Sequence, residues 1–317
     1  MAEKKYDIIV IGAGPGGYHA AIRGAQLGMD VCLIEKDDGT GNGGLGGVCL
    51  NWGCIPSKSL LKNAELLNEM KNPDEWGFSF KEFKADMSKA IDRSRSVSKK
   101  LTQGIEFLVK KNKIDLVMGS AELLSSSSVK VGEEIFLTSN IIIATGARPR
   151  SLPSLEIDKN LIISSREALE LRNKPKSIAI IGASAIGCEF AYYFNAYGVE
   201  VSLFEIMDRI VPKEDRDISK ELERQFSKQG IVSNTSIKIT NVIKNKDSVT
   251  LDFEKSGEKS SKVFDKVLLG VGIQPNTEDL NLENAGIKTD KNGFIEVDNF
   301  MKTNVNGVYA IGDITGK

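Results

Sequence analysis

Twenty-eight residues recur without a gap 170 positions along the chain. The first copy is I-I-V-I-G-A-G-P-G-G-Y-H-A-A-I-R-G-A-Q-L-G-M-D-V-C-L-I-E (8–35), the second I-A-I-I-G-A-S-A-I-G-C-E-F-A-Y-Y-F-N-A-Y-G-V-E-V-S-L-F-E (178–205). Gly12 meets Gly182, Gly17 meets Gly187, Gly28 meets Gly198 and Glu35 meets Glu205. Each copy reads as an apolar strand, a glycine turn, a helix closed by Gly, a second apolar strand and a terminal acid. This is a βαβ dinucleotide-binding fingerprint, present twice. The first glycine permits the tight turn, the second lets backbone approach a pyrophosphate, and the third lets helix and strand pack closely. The helix N-terminus then faces the anion. Glu35 and Glu205, each 23 residues past the first glycine, are placed to accept from an adenosine ribose. The copies differ where Gly14 is matched by Ser184, which allows slightly less close approach.

A second echo supports two nucleotide domains. I-I-I-A-T-G-A-R-P (141–149) and V-L-L-G-V-G-I-Q-P (267–275) align at an offset of 126, matching Gly146 with Gly272. Each follows a polar β-meander, near 114–138 and 231–264, and a last strand, G-V-Y-A-I-G-D, occupies 307–313. The expected fold class is α/β, with two Rossmann-like domains that each carry a β-meander. Residues 57–112 read as helical and are assigned to the first domain; the basic run Arg93 to Lys100 is expected to be a solvated helix face.

With Lys+Arg at 42 and Asp+Glu at 43, nothing in the charge favours nucleic acid or an anionic membrane. No stretch approaches the roughly 18 apolar residues of a membrane span, and no signal-peptide pattern opens the chain. A cytoplasmic protein is expected. In a reducing compartment, close cysteines are more often redox-active or metal-binding than structural.

Two of the four cysteines lie five apart in G-G-V-C-L-N-W-G-C-I-P-S-K (46–58), behind a stretch in which six of nine residues, Gly39 to Gly47, are glycine. Three readings compete. A metal site would need two more ligands, and the chain has one histidine, His19, inside the first fingerprint helix. Two inert buried thiols are the second reading. A reducible disulfide is the third, and geometry favours it on one condition. Five residues of regular helix rise about 7.5 Å, beyond a disulfide's Cα reach, so the segment must bend; Gly53 is suited to that. Cys54 at a helix N-terminus, with Lys58 one turn on, would favour a thiolate. Cys32 and Cys188 read as core.

The motif at 46–58 resembles the active-site signature of the class I pyridine nucleotide–disulfide oxidoreductases, and most closely the branch that reoxidises lipoyl groups. A-T-G-A-R-P and A-I-G-D are also family-like. The resemblance implies that the first fingerprint (Gly12, Gly14, Gly17, Glu35) holds FAD, helped by Lys58, Ala121, Thr145, Gly146 and Asp313. It implies that the second (Gly182, Gly187, Glu205, with Ile237 and Gly272) holds NAD. Glu189 would pair with Lys58. A dihydrolipoyl thiolate would attack Cys49 and free Cys54 beside the flavin, with NAD⁺ as the final acceptor. The FAD domain would be discontinuous: 1–150, then the NAD domain at 151–280, then 281–317 returning to the first. A carboxylate at Glu205 repels a 2′-phosphate, so NAD is expected over NADP, with Arg209 structural.

The implied partners are lipoyl domains of 2-oxoacid dehydrogenase or glycine cleavage complexes, and a second subunit in a homodimer. Three departures from the family pattern stand out. Val48 replaces a threonine, and the glycine-rich stretch is long. The sequence stops at Lys317, before the family's dimerisation domain and its His–Glu base. Poor turnover of dihydrolipoamide is therefore expected of these 317 residues. The alternatives are a non-catalytic FAD/NAD-binding module and another NADH-linked disulfide or mercuric reductase.

Overall fold

The computed structural model describes residues 4–36, 44–153 and 155–317. The glycine-rich positions 39–43 lie outside the described residues. The chain divides into two compact units. The first takes residues up to Ile55, Ser96–Arg148 and Ile273–Lys317, and the second Pro56–Arg95 and Pro149–Gly272.

The first unit is built on a five-stranded parallel sheet in the order Val308–Ala310, Ile141–Ile143, Ile8–Ile11, Val31–Glu35, Asp115–Met118. Ile9, Val10, Cys32, Leu33, Ile141 and Ile143 have no exposed surface, which is why these strands read as continuous apolar runs rather than alternating ones. The strand Val308–Ala310 lies parallel beside Ile141–Ile143 in this sheet. The meander is Ala121–Ser125, Ser128–Val131 and Glu134–Thr138, with Lys4–Tyr6 added parallel at one edge.

Helix α1 (Pro15–Gln26) follows the first fingerprint turn, with Pro at its first position and Gly28 closing it at a φ of +86°. Helix α2 (Gly47–Trp52) buries Leu50 and Trp52, and α3 (Cys54–Lys71) begins directly after Gly53. Leu50 joins Val10, Leu33, Ile105 and Val109 in one apolar cluster, the last two from α4 (Met87–Lys111). Burying one leucine in this way contributes about 2 kcal/mol.

The second unit repeats the plan. Its parallel sheet runs Ile162–Ile163, Lys266–Leu269, Ser177–Ile181, Glu200–Phe204, Val232–Asn234. Its meander is Lys238–Lys244, Val249–Lys255 and Glu258–Phe264. Helix α5 (Ala185–Ala196) follows the second glycine turn.

Two boundaries differ from the sequence reading. Residues 56–95 belong to the second unit: Leu60, Ala64 and Leu67 of α3 and Ile91 of α4 pack in one cluster with Phe190, Tyr193 and Phe194 of α5. The second unit also ends at Gly272 rather than 280. Asn276 explains this, because its side chain donates to the Thr145 carbonyl (2.9 Å) and its backbone N–H to that of Gly146 (3.1 Å). Within the basic run, Arg93, Lys99 and Lys100 are exposed, but Arg95 is half-buried, which lowers its pKa.

Candidate functional site

The two glycine turns are superimposable in their contacts. Gly12 and Gly182 adopt φ of +98° and +96°, and each N–H donates at 2.8 Å to the carbonyl closing the second strand, Ile34 or Phe204. A Cβ on Gly12 would lie 2.4 Å from the Ala144 oxygen; one on Gly182 would lie 2.3 Å from that of Gly270. Ala144 and Gly270 are equivalent in the second echo, so the same strand end seats both turns. The third glycine is the most constrained. A Cβ on Gly17 would sit 1.7 Å from the Gly12 carbonyl oxygen, and one on Gly187 would sit 2.0 Å from that of Gly182.

Both acids at the second strand ends face these turns. Glu35 Oε2 accepts from the Ala13 N–H at 2.6 Å, and Glu205 Oε2 from the Ala183 N–H at 2.8 Å. Glu205 Oε1 accepts from the Met207 N–H at 3.0 Å. Each carboxylate is therefore held against the turn, with lone pairs left over for a ribose hydroxyl. The caps of α1 and α5, Gly14 and Ser184, make no side-chain bond to their helices. The helix N-termini thus keep their backbone donors and partial positive charge for an anion. Glycines that a Cβ would fill, an uncapped helix end and a fixed carboxylate fit a dinucleotide at each turn.

The other residues named for the first nucleotide site all belong to the first unit apart from Lys58. Thr145 donates its hydroxyl to the Asn276 carbonyl at 3.0 Å. Ala121 is buried at the start of a meander strand, paired with Val131. Asp313 is exposed, and its charge reaches Cys49. For the second site, Gly272 has a φ of +110° and its carbonyl accepts from Arg150 N–H. Ile237 is not available as a side chain: it is 5% exposed, within the core of the second meander. Its N–H is engaged by the Glu205 carbonyl at 3.0 Å, which leaves its own carbonyl as the group it can offer.

Cys49 lies inside α2 rather than in a loop, and Cys54 opens α3. Between them the chain turns at Gly53, whose φ and ψ of −145° and −114° are non-helical. A Cβ there would stand 3.1 Å from the Val48 carbonyl and 3.4 Å from the Cys49 Cα, so the fold back is close. The two thiols consequently come within hydrogen-bonding reach of each other. Burial, with a hydrogen bond and the charge of Cys54, pushes the Cys49 thiol up to about 12, while a bond from the Cys54 backbone opposes this. Both are thiols here. Val48, in place of a threonine, is exposed.

The approach to the pair rests on the first fingerprint. Gly46 N–H donates to the Ala13 carbonyl at 2.8 Å, and Gly47, at a φ of +56°, lies against Gly14. His19 is exposed, with Nδ1 against the Pro15 carbonyl at 2.6 Å and its ring on Tyr18. Among the described residues no group of three or more His, Cys, Asp or Glu could hold a metal ion. No helix among them is long and apolar enough to cross a membrane.

In the second unit, Lys58 donates to the Glu189 carboxylate. Lys58 is one helical turn beyond Cys54 on α3. Arg209 is tied inward, to Asp208 at 2.9 Å and the Pro212 carbonyl at 2.7 Å. Cys32 and Cys188 are buried, and burial pushes both thiols up to about 12. Asn276, Gly270 and Gly47 were not singled out from sequence. The signals were there: Asn276 follows the proline that closes the second echo, and Gly47 stands between two glycine-run neighbours and the first cysteine.

Comparison with known proteins agrees with this geometry. A dihydrolipoyl dehydrogenase of Chlorobaculum parvum is 42% identical over 98% of this chain and 66% of its own length. One from Rhizobium etli is also 42% identical, over 100% of this chain and 68% of its own. The chain thus spans about two thirds of the length of these relatives. Among solved structures, the Cu(II) complex of the HOCl-induced flavoprotein disulfide reductase RclA from Escherichia coli matches with a TM-score of 0.85. It is 28% identical over 100% of this chain and 67% of its own. Residues 6–317 match the pyridine nucleotide-disulphide oxidoreductase family, and the chain belongs to that family.

Proposed function

We propose that this chain carries the electron path of a dihydrolipoyl dehydrogenase: oxidation of a protein-bound dihydrolipoamide through Cys49 and Cys54, with FAD at the first turn and NAD⁺ at the second. The observation that supports it most is the cysteine pair, hydrogen-bonded across the Gly53 turn and preceded by Gly47, which lies against Gly14 of the first fingerprint.

Bound FAD would supply the two-electron transfer between dithiol and nicotinamide. The protein's own part is thiol–disulfide exchange. A substrate thiolate attacks the Cys49 sulfur of the bridge; the Cys49–Cys54 bond breaks, a mixed disulfide forms, and Cys54 leaves as a thiolate. The second substrate thiol closes the lipoamide ring as the mixed disulfide breaks, and its proton passes to the departing Cys49 sulfur, which leaves as a thiol. Two electrons then reside on the dithiol. The lysine that follows Cys54 by one turn, braced by Glu189, favours negative charge at the start of α3. Thr145, Gly146, Asp313 and the Ala121 backbone would position the flavin, and Gly272 and the Ile237 carbonyl the nicotinamide dinucleotide. Glu205 sets the preference for NAD over NADP.

Lipoyl domains as substrates and a homodimer as the working assembly belong to the same proposal, drawn from the family resemblance. The test is anaerobic titration of the flavin-loaded protein with dihydrolipoamide and with NADH. Growth of long-wavelength absorbance from a thiolate beside flavin, lost in Cys54→Ser, is the expected result. Flavin bound with no such band in the wild type would sink the reading and favour a nucleotide-binding module without redox function.

A further inference from the structure

Between the two cysteines stands Asn51, which the reaction above does not use. Its side-chain nitrogen donates to the carbonyls of Leu45 (3.2 Å) and Gly47 (3.1 Å). Its oxygen accepts from the Thr102 hydroxyl on α4 at 3.1 Å. Three of its four hydrogen-bonding positions are therefore filled inside the protein.

Each partner belongs to an element that decides where Cys49 sits. Leu45 is buried, and Gly47 is the residue pressed on Gly14. Thr102 lies on α4, whose Ile105 and Val109 share the apolar cluster with Leu50. Propensity does not explain an asparagine here, since it is among the weaker helix formers and competes with the backbone for hydrogen bonds. A leucine or lysine would make a better short helix. An amide alone can donate twice to the approach loop and accept once from α4.

We propose that Asn51 is a positioning residue for the redox pair. By fastening α2 to the glycine run on one side and to α4 on the other, it holds Cys49 against Cys54. It thereby sets how readily the bridge between them closes. This rests on the reading that the two sulfurs cycle between dithiol and disulfide. Closure removes two electrons and two protons and makes one sulfur–sulfur bond. In a dithiothreitol buffer, oxidised dithiothreitol takes them up as its own ring bond breaks. Fixing the two thiols in contact raises the effective concentration of one at the other, and loosening α2 lowers it. Loss of the amide therefore shifts the pair toward dithiol.

The experiment equilibrates the flavin-loaded full chain with dithiothreitol redox buffers, traps free thiols, and counts them by mass. Asn51→Ala is expected to shift the equilibrium about tenfold toward dithiol, equivalent to about 30 mV. Thr102→Val is expected to shift it about threefold in the same direction, and Thr102→Ser to restore the wild-type value. Wild-type equilibria in both Asn51→Ala and Thr102→Val, each folded and flavin-bound, would overturn the proposal. Should Asn51→Ala not fold, the two Thr102 variants decide: identical potentials overturn it. A wild-type pair that never bridges overturns the redox reading and this inference with it, an outcome distinct from a bridging pair indifferent to Asn51.

Discussion

A methyl group on Gly47 would place its carbon 2.6 Å from the Cα of Gly14, so the approach to the cysteine pair rests on the turn proposed to receive the first nucleotide. The contact is backbone on backbone and cannot be relieved by a rotamer change. Gly47 also has a φ of +56°, which adds strain for any side chain. Gly47→Ala is expected to cost about 1–3 kcal/mol and to lower flavin retention together with formation of the Cys49–Cys54 bridge. Thermal unfolding, flavin absorbance and thiol counting on one preparation check it. Bridge formation lost with flavin fully retained would contradict the coupling.

The two third glycines separate the two nucleotide sites. Gly17→Ala and Gly187→Ala each drive a Cβ to within 2.0 Å or less of a carbonyl oxygen, which only a displaced helix can relieve. Gly17→Ala should lose bound flavin. Gly187→Ala should keep it while weakening NAD⁺ binding by tenfold or more, the loss expected when the helix that faces the pyrophosphate shifts. Flavin spectra and NAD⁺ titration by fluorescence quenching distinguish them. Loss of flavin in both would argue against independent sites.

Lys58 and Glu189 form an ion pair with side chains 61% and 26% exposed, so its contribution to stability is small, well under about 1 kcal/mol. Its expected effect is chemical. Lys58→Met and Glu189→Gln should leave the unfolding midpoint in urea nearly unchanged. Both should reduce the long-wavelength absorbance of the two-electron-reduced protein, Lys58→Met more strongly. An unchanged spectrum in Lys58→Met would remove this lysine from the redox site.

The pH dependence of stability follows from the buried thiols. Cys32 and Cys188 are held up at about 12 by burial, against an ordinary value near 9. Between those values the folded chain keeps protons that the unfolded chain releases. Stability is therefore fully present below pH 9 and falls as pH rises toward 12, by up to about 1.4 kcal/mol per unit for each thiol. Cys32→Val should remove its share of the slope. Urea unfolding at pH 7.5 and 10.5 of both proteins, about 3 units apart, measures it; equal slopes would exclude Cys32 as a source.

The glycine turns were legible in the sequence because backbone sterics leave so few residues free to occupy them. Gly12, Gly17, Gly182 and Gly187 each answer to a contact that only a missing Cβ allows. The bend at Gly53 was legible for the same reason, as the one geometry that brings the two cysteines together. The placement of residues 56–95 was not. An amphipathic pattern states that one face of α3 is covered but not that Phe190 and Tyr193, over a hundred residues away, cover it. The short helix around Cys49 is not legible, because G-V-C-L-N-W is too short and, Leu50 apart, too weak in helix formers to stand alone; burial of Leu50 and Trp52 holds it. The resemblance names Ile237 for the second nucleotide site without saying which of its groups would serve; its side chain is core, which leaves the backbone carbonyl.

The hydrogen bond from Ala183 to Glu205, repeated from Ala13 to Glu35, means that each carboxylate is already seated before any nucleotide arrives. A ribose arriving at the proposed sites would meet an acceptor with no rotamer search left to make. The same fastening limits how cofactor choice can drift over evolutionary time. Replacing Glu205 by a small or basic residue strands the Ala183 and Met207 amides as well as dismissing the repulsion toward a 2′-phosphate. A lineage that changes its nicotinamide coenzyme must therefore re-tailor the turn along with the acid.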